Sequence, residues 1–137
     1  LVWHPGKYAQ LLSERLIQHN ARVWLVNTGW SGGAYGEGSR INLSHTRAIL
    51  RAIHSGELAS APTKIEPHFG LSMVTKCPEV PSSILVPRDT WKSPAAYDEM
   101  AARLAGLFQT NFKSYEEGVT QSVVEAGPRL PVGAATH

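Results

Sequence analysis

The chain has 137 residues, 42% of them hydrophobic and 18% charged, with a formal net charge of +2. That is enough for one compact domain with a substantial apolar interior, while the basic residues are too few and too scattered to point to nucleic acid. A single cysteine, Cys77, excludes an internal disulfide framework and any zinc site built from several cysteines, so a reducing compartment and a cytoplasmic location are expected. The first ten residues, "LVWHPGKYAQ", offer neither a basic leader nor an apolar run of membrane length, and no membrane partner is expected. With Leu1 rather than methionine in front, they read as a cut from a longer polypeptide.

Pro5 suits the first turn of a helix, and Tyr8, Leu11, Leu12 and Leu16 recur at helical spacing until Asn20 offers a left-handed stop. "RVWLV", residues 22–26, is short, β-branched and aromatic without a polar break after Arg22, which predicts a strand covered on both faces. One such strand is too few to satisfy its own edges, so the expected sheet is incomplete and its other strands lie before Leu1. Next come five glycines between residues 29 and 38, and then Ser44, a cap for a helix whose Ala48, Ile49, Ala52 and Ile53 share a face and which Gly56 ends.

Residues 57–92 carry five prolines, which permit only short extended pieces around "TKIEPHFG" and "LSMVTK" and a brief helical turn near "SSIL". Ser93 and Pro94 start a long amphipathic helix over 93–116, striped by Tyr97, Met100, Leu104, Leu107, Phe108 and Phe112, a face expected to be core. A shorter helix around "VTQSVVEA" stops at Gly127 and Pro128, and a fraying tail over 129–137 closes the chain. Helices around an incomplete sheet predict a mixed α/β fold.

The glycine-rich stretch 27–43 joins strand to helix. Glycines there let backbone approach a phosphate or a planar ring, and the helix N-terminus behind them adds a positive dipole. Their spacing matches neither GxGxxG nor GxxxxGK[ST], so a plain surface connection accounts for the glycines equally well. Arg40 and Arg47 can pair with phosphate, stack on a base, or stand as solvated charges. Trp30 and Tyr35 can stack on a ring, but large aromatics in a loop more often pin it to the core. Thr46 lies in the first helical turn, and with Ser44 as cap its hydroxyl is available to a ligand. His45 reads as a surface histidine, and Cys77 as an unactivated thiol with no helix N-terminus or histidine close by in sequence. The six histidines stand too far apart for H-x3-H or HExxH pairing, and neither a metal site nor a catalytic group is assigned to this chain.

Taken in order, "LVWHPGKYAQLL", "LVNTGW", "SRINLSHTRAIL", "VPRDTW" and "VVEAGPRL" resemble the C-terminal part of ATP-dependent phosphoenolpyruvate carboxykinase over nearly the whole chain. "LVNTGW" and the pattern R-[IM]-x-L-x-x-T-R are its most specific parts. The resemblance implies the C-terminal part of a P-loop-containing nucleotide domain, in an enzyme that converts oxaloacetate and ATP to phosphoenolpyruvate, carbon dioxide and ADP in gluconeogenesis. It implies magnesium on the nucleotide and a second divalent ion, often manganese. It makes Arg40, Ile41 and Thr46 the nucleotide contacts, on the side of ATP away from the phosphates.

The residue chemistry agrees, since Ile41 offers an apolar face to a purine, Thr46 a hydrogen bond to its edge, and Arg40 a planar cation over ring or ribose. The chain has no Walker motif, so the P-loop, metal ligands and oxaloacetate site would lie before Leu1, in the remainder of the same polypeptide, and the 137 residues alone would be catalytically silent. Two other classes remain open: a non-catalytic nucleotide- or anion-binding module, which would bind ATP in isolation, and a structural interaction domain, which would form a stable oligomer without nucleotide dependence.

Overall fold

The computed structural model describes residues 2–33 and 35–129. Helix α1, Pro5–Gln18, begins where proline occupies its first turn and His4 Nδ1 accepts a hydrogen bond from the Gly6 N–H. It ends ahead of Asn20, whose φ of 46° is the left-handed stop expected from sequence. None of its residues is buried.

Residues 21–28 form no strand, which corrects the expectation for "RVWLV". Trp24 and Val26 are half-buried, whereas Val23 and Leu25 are 64% and 79% exposed. The segment keeps the alternation of an extended chain but pairs with no strand among the described residues, so its second face has nothing to cover it.

Among the described residues the strands pair as two small antiparallel hairpins. Strands β1, Trp30–Ser31, and β2, Ser39–Arg40, pair Trp30 with Arg40 and Ser31 with Ser39. Strands β3, Thr63–Ile65, and β4, Ser72–Val74, form the second and fall where the two extended pieces were expected. The observed architecture is therefore mixed helix and small sheets.

Helix α2, Leu43–His54, is capped by Asn42 and not Ser44. Asn42 Oδ1 accepts from both the backbone N–H and the hydroxyl of Ser44 at 2.9 Å, so Ser44 is consumed as a donor one position inside the helix. The helix buries Ala48 and Ala52 against Leu58, Cys77 and Val80, with Trp24, Ile49, Ile53 and Ile84 around them. Leu58 belongs to a 3-10 turn, Glu57–Ser60, and Ile84 to another, Ser82–Ile84, the brief turn expected near "SSIL".

Helix α3, Pro87–Thr90, is short and was not anticipated, because Pro87 serves as its first residue and not as a breaker. Helix α4, Pro94–Phe112, starts under the Ser93 cap as expected and ends four residues before position 116. Its buried positions are Ala101 and Ala105, while Met100, Leu104, Leu107 and Phe108 are 40–59% exposed. The side turned inward is the i, i+4 line through Tyr97, Ala101 and Ala105, whose two alanines allow close approach; of the stripe Tyr97 lies on this line, while Met100, Leu104, Leu107 and Phe108 lie beside it. Helix α5, Gln121–Glu125, is the shorter helix. In the expected tail, Arg129 N–H donates to the His68 carbonyl at 2.7 Å, and positions 130–137 lie outside the described residues. No described helix is long and apolar enough to cross a membrane.

Candidate functional site

The glycine stretch carries the β1–β2 hairpin and leads directly into a capped helix. Asn27 closes its base: its Oδ1 accepts from the Gly29 N–H at 2.9 Å, and its Nδ2 donates to the Trp30 carbonyl at 3.0 Å. On the other arm, Ile41 N–H donates to the Gly29 carbonyl at 2.9 Å. Gly38 cannot be another residue here, since a Cβ at that position would sit 2.7 Å from the Ser31 carbonyl oxygen. Gly38, with Gly32 and Gly33, thus serves close backbone approach in the hairpin, whereas a Cβ at Gly36 would meet nothing.

Trp30 and Tyr35 do not pin the loop to the core. Their rings meet each other edge to face at 5.7 Å, and they are 46% and 91% exposed. Trp30 also lies on the wall of an apolar cavity, and Tyr35 is left open to contact.

Arg40 and Ile41 leave the hairpin consecutively and face opposite ways, as alternation along an extended chain requires. Arg40 is exposed and forms no ion pair among the described residues. Ile41 is half-buried and lines a largely apolar cavity of about 740 Å³, with Trp24, Val26, Ile49 and Trp91 also on its wall. Thr46 sits one turn into α2 and is 7% exposed. Its backbone N–H donates to the Asn42 carbonyl, and its hydroxyl takes no part in the cap, which Asn42 provides. Arg40 and Thr46 do not line the cavity that Ile41 lines. The three expected contact residues therefore occupy one hairpin-to-helix junction but not one wall.

A second polar cluster, which sequence reasoning missed, lies under the other hairpin. Glu66 and His68 are 5% and 4% exposed, and His68 Nδ1 lies 2.8 Å from Glu66 Oε1. The other carboxylate oxygen accepts the backbone N–H groups of His68 and Phe69 at 2.9 and 2.6 Å. Tyr97 adds its hydroxyl to Glu66 Oε1 at 3.5 Å, and its pKa is pushed up to about 12 by burial and then by the Glu66 charge. Only the Glu-x-His spacing across a turn hints at this arrangement, and such spacing is common in ordinary turns.

Cys77 is buried, and its thiol is pushed up by burial and then by the charges of Glu57 and Glu79, so it is no ready nucleophile. Among the described residues no three His, Cys, Asp or Glu side chains gather into a metal-holding group.

Taken together, the described residues form a mixed helix-and-hairpin segment in which a glycine hairpin delivers a cation and an apolar side chain to a helix N-terminus. The sequence profile of phosphoenolpyruvate carboxykinase matches residues 1–83, and the chain belongs to that family. It is 54% identical over 130 residues to phosphoenolpyruvate carboxykinase (ATP) 2 of Salinibacter ruber, covering 95% of this chain and 24% of that protein. The phosphoenolpyruvate carboxykinase (ATP) of Dictyostelium discoideum is 49% identical over 131 residues, covering 96% and 23%, and that of Thermus thermophilus is 50% identical over 129 residues, covering 94% and 24%. The chain thus spans about a quarter of the length of these relatives.

Proposed function

We propose that this chain is the nucleoside-side segment of an ATP-dependent phosphoenolpyruvate carboxykinase, an enzyme that decarboxylates oxaloacetate and phosphorylates the product with ATP, releasing carbon dioxide and ADP. The observation that carries this reading is the junction itself. Asn42 supplies the helix cap, which leaves the Thr46 hydroxyl uncommitted to capping, while Arg40 stands exposed, with no ion pair among the described residues, one residue before the half-buried Ile41.

In this reading residues 27–43 form the nucleotide-side loop. Ile41 packs against the purine, Thr46 hydrogen-bonds its polar edge, and the Arg40 guanidinium stacks over base or ribose. These contacts select and orient ATP. The phosphates, magnesium, a second divalent ion such as manganese, and oxaloacetate are held by the remainder of the polypeptide, which also covers the open second face of residues 21–28. The location that suits this chemistry is the cytoplasm.

Oxaloacetate-dependent ATP consumption tests the proposal. The parent enzyme should turn over, and the 137-residue chain alone should stay at background. Turnover by the isolated chain, or none by the parent, overturns it.

A further inference from the structure

The glycine hairpin is held from outside by a contact that no part of the reading above uses. Ser31, on β1, donates its hydroxyl to Thr90 Oγ1 at 3.3 Å across 59 residues of sequence, and the Thr90 hydroxyl in turn donates to the Pro87 carbonyl at 2.6 Å. The next residue, Gly32, has a φ of +83°, and a Cβ there would lie 3.2 Å from the Thr90 carbonyl oxygen. Backbone and side chain of Thr90 therefore both abut the hairpin.

Thr90 itself is braced. A four-residue helix such as α3 has too few internal hydrogen bonds to hold its place alone. Arg88 fastens it to α4 through two bonds to Asp98, Nε to Oδ1 at 2.8 Å and a terminal nitrogen to Oδ2 at 2.9 Å. That bond holds the Asp98 carboxyl below its ordinary value. Trp91 adds an edge-to-face contact with Tyr97 at 5.7 Å. A continuous path runs from α4 through Arg88 and Thr90 to Ser31, and the β1–β2 register carries it on to Arg40.

We propose that Thr90 is a positioning residue for nucleotide binding: by holding Ser31 it fixes the hairpin arm from which Arg40 and Ile41 emerge. The inference rests on the nucleotide reading of that junction. Without the anchor the glycine-rich arm samples more conformations, and ATP must order it on binding, which weakens apparent ATP affinity without touching the reacting atoms.

The test is steady-state kinetics on the parent enzyme with ATP and oxaloacetate varied separately. Ser31→Ala and Thr90→Val should each raise the KM for ATP by about 2- to 10-fold, the range set by one hydrogen bond, with kcat and the KM for oxaloacetate nearly unmoved. The double variant should be little worse than Thr90→Val alone, because that substitution already removes the Ser31 contact together with the Pro87 bond. Thr90→Ser, which keeps the hydroxyl, should restore wild-type ATP dependence. If Arg40→Ala raises the KM for ATP while Ser31→Ala and Thr90→Val do not, the positioning role is wrong and the nucleotide reading stands. A loss of kcat with both KM values altered marks general damage and also overturns it. If Arg40→Ala leaves ATP dependence unchanged as well, the nucleotide reading has failed first.

Discussion

Helices α1 and α2 are both amphipathic by sequence, yet they end in opposite conditions. Helix α2 buries Thr46, Ala48 and Ala52 and anchors the apolar cluster around Leu58, whereas α1 buries nothing and leaves Leu11, Leu12 and Ile17 46–78% exposed. An apolar stripe states that a face can be buried; whether it is depends on what lies opposite. For α2 the opposite surface is the 3-10 turn and the β3–β4 region of the same chain. For α1, and for the Val23 and Leu25 face of residues 21–28, the described residues supply no such surface.

The contrast is sharpest under truncation. Leu58→Ala, at a residue only 2% exposed, should destabilise the chain by about 3 kcal/mol, while Leu12→Ala, at 61% exposed, should change stability by less than about 0.5 kcal/mol. Urea unfolding measures both. Equal losses would mean that α1 packs as tightly as α2, and the contrast would be broken.

A second and slightly smaller effect is expected at Glu66, which holds the β3–β4 turn to α4. Glu66→Ala leaves two backbone N–H groups and the His68 ring without their acceptor, at a cost of about 2 kcal/mol. Loss of the Tyr97 signature should accompany it: with the Glu66 charge removed, Tyr97 should ionise at lower pH than the value of about 12. Spectrophotometric titration against Tyr97→Phe reads this, and an unmoved titration would show that burial alone sets the shift.

The smallest effect concerns the surface pair Arg88–Asp98. Because the folded-state carboxyl is lowered, its contribution is complete above the unfolded value near 3.8 and disappears as pH falls through the lowered one. Acidification through that window should loosen α3 from α4, and high salt should mimic part of the effect because the pair is partly exposed. Asp98→Asn should abolish this acid dependence, measured as exchange of the α3 amide hydrogens; the same dependence in the variant would assign it elsewhere.

Local chemistry in the sequence was a sound guide to several features that are decided locally. The Asn20 stop, the Ser93 cap, the turn at Ser82–Ile84 and the two extended pieces around a six-residue turn all depend on neighbours within a few positions. Tertiary choices were less legible. "RVWLV" has a buried strand's composition, but burial on both faces requires partners that no local pattern contains. Asn42 and Ser44 are both competent caps, and the structure resolves the tie by making one the acceptor and the other its donor. The α4 face was misread because alanines, not the bulky stripe, set how closely the helix approaches the β3–β4 turn. At the site, Arg40, Ile41 and Thr46 came from family resemblance; periodicity alone could not distinguish them from loop and core, and the Ser31–Thr90 contact joins positions too distant in sequence for any spacing rule.

The central claim is that the hairpin-to-helix junction holds the nucleoside of ATP. Its most direct measurement is the KM for ATP in the parent enzyme carrying Arg40→Ala or Thr46→Val. Each should raise that KM by roughly tenfold, about 1.4 kcal/mol of lost binding, while the KM for oxaloacetate stays within twofold of wild type. Unchanged ATP dependence in both variants, with oxaloacetate dependence altered or not, would contradict it.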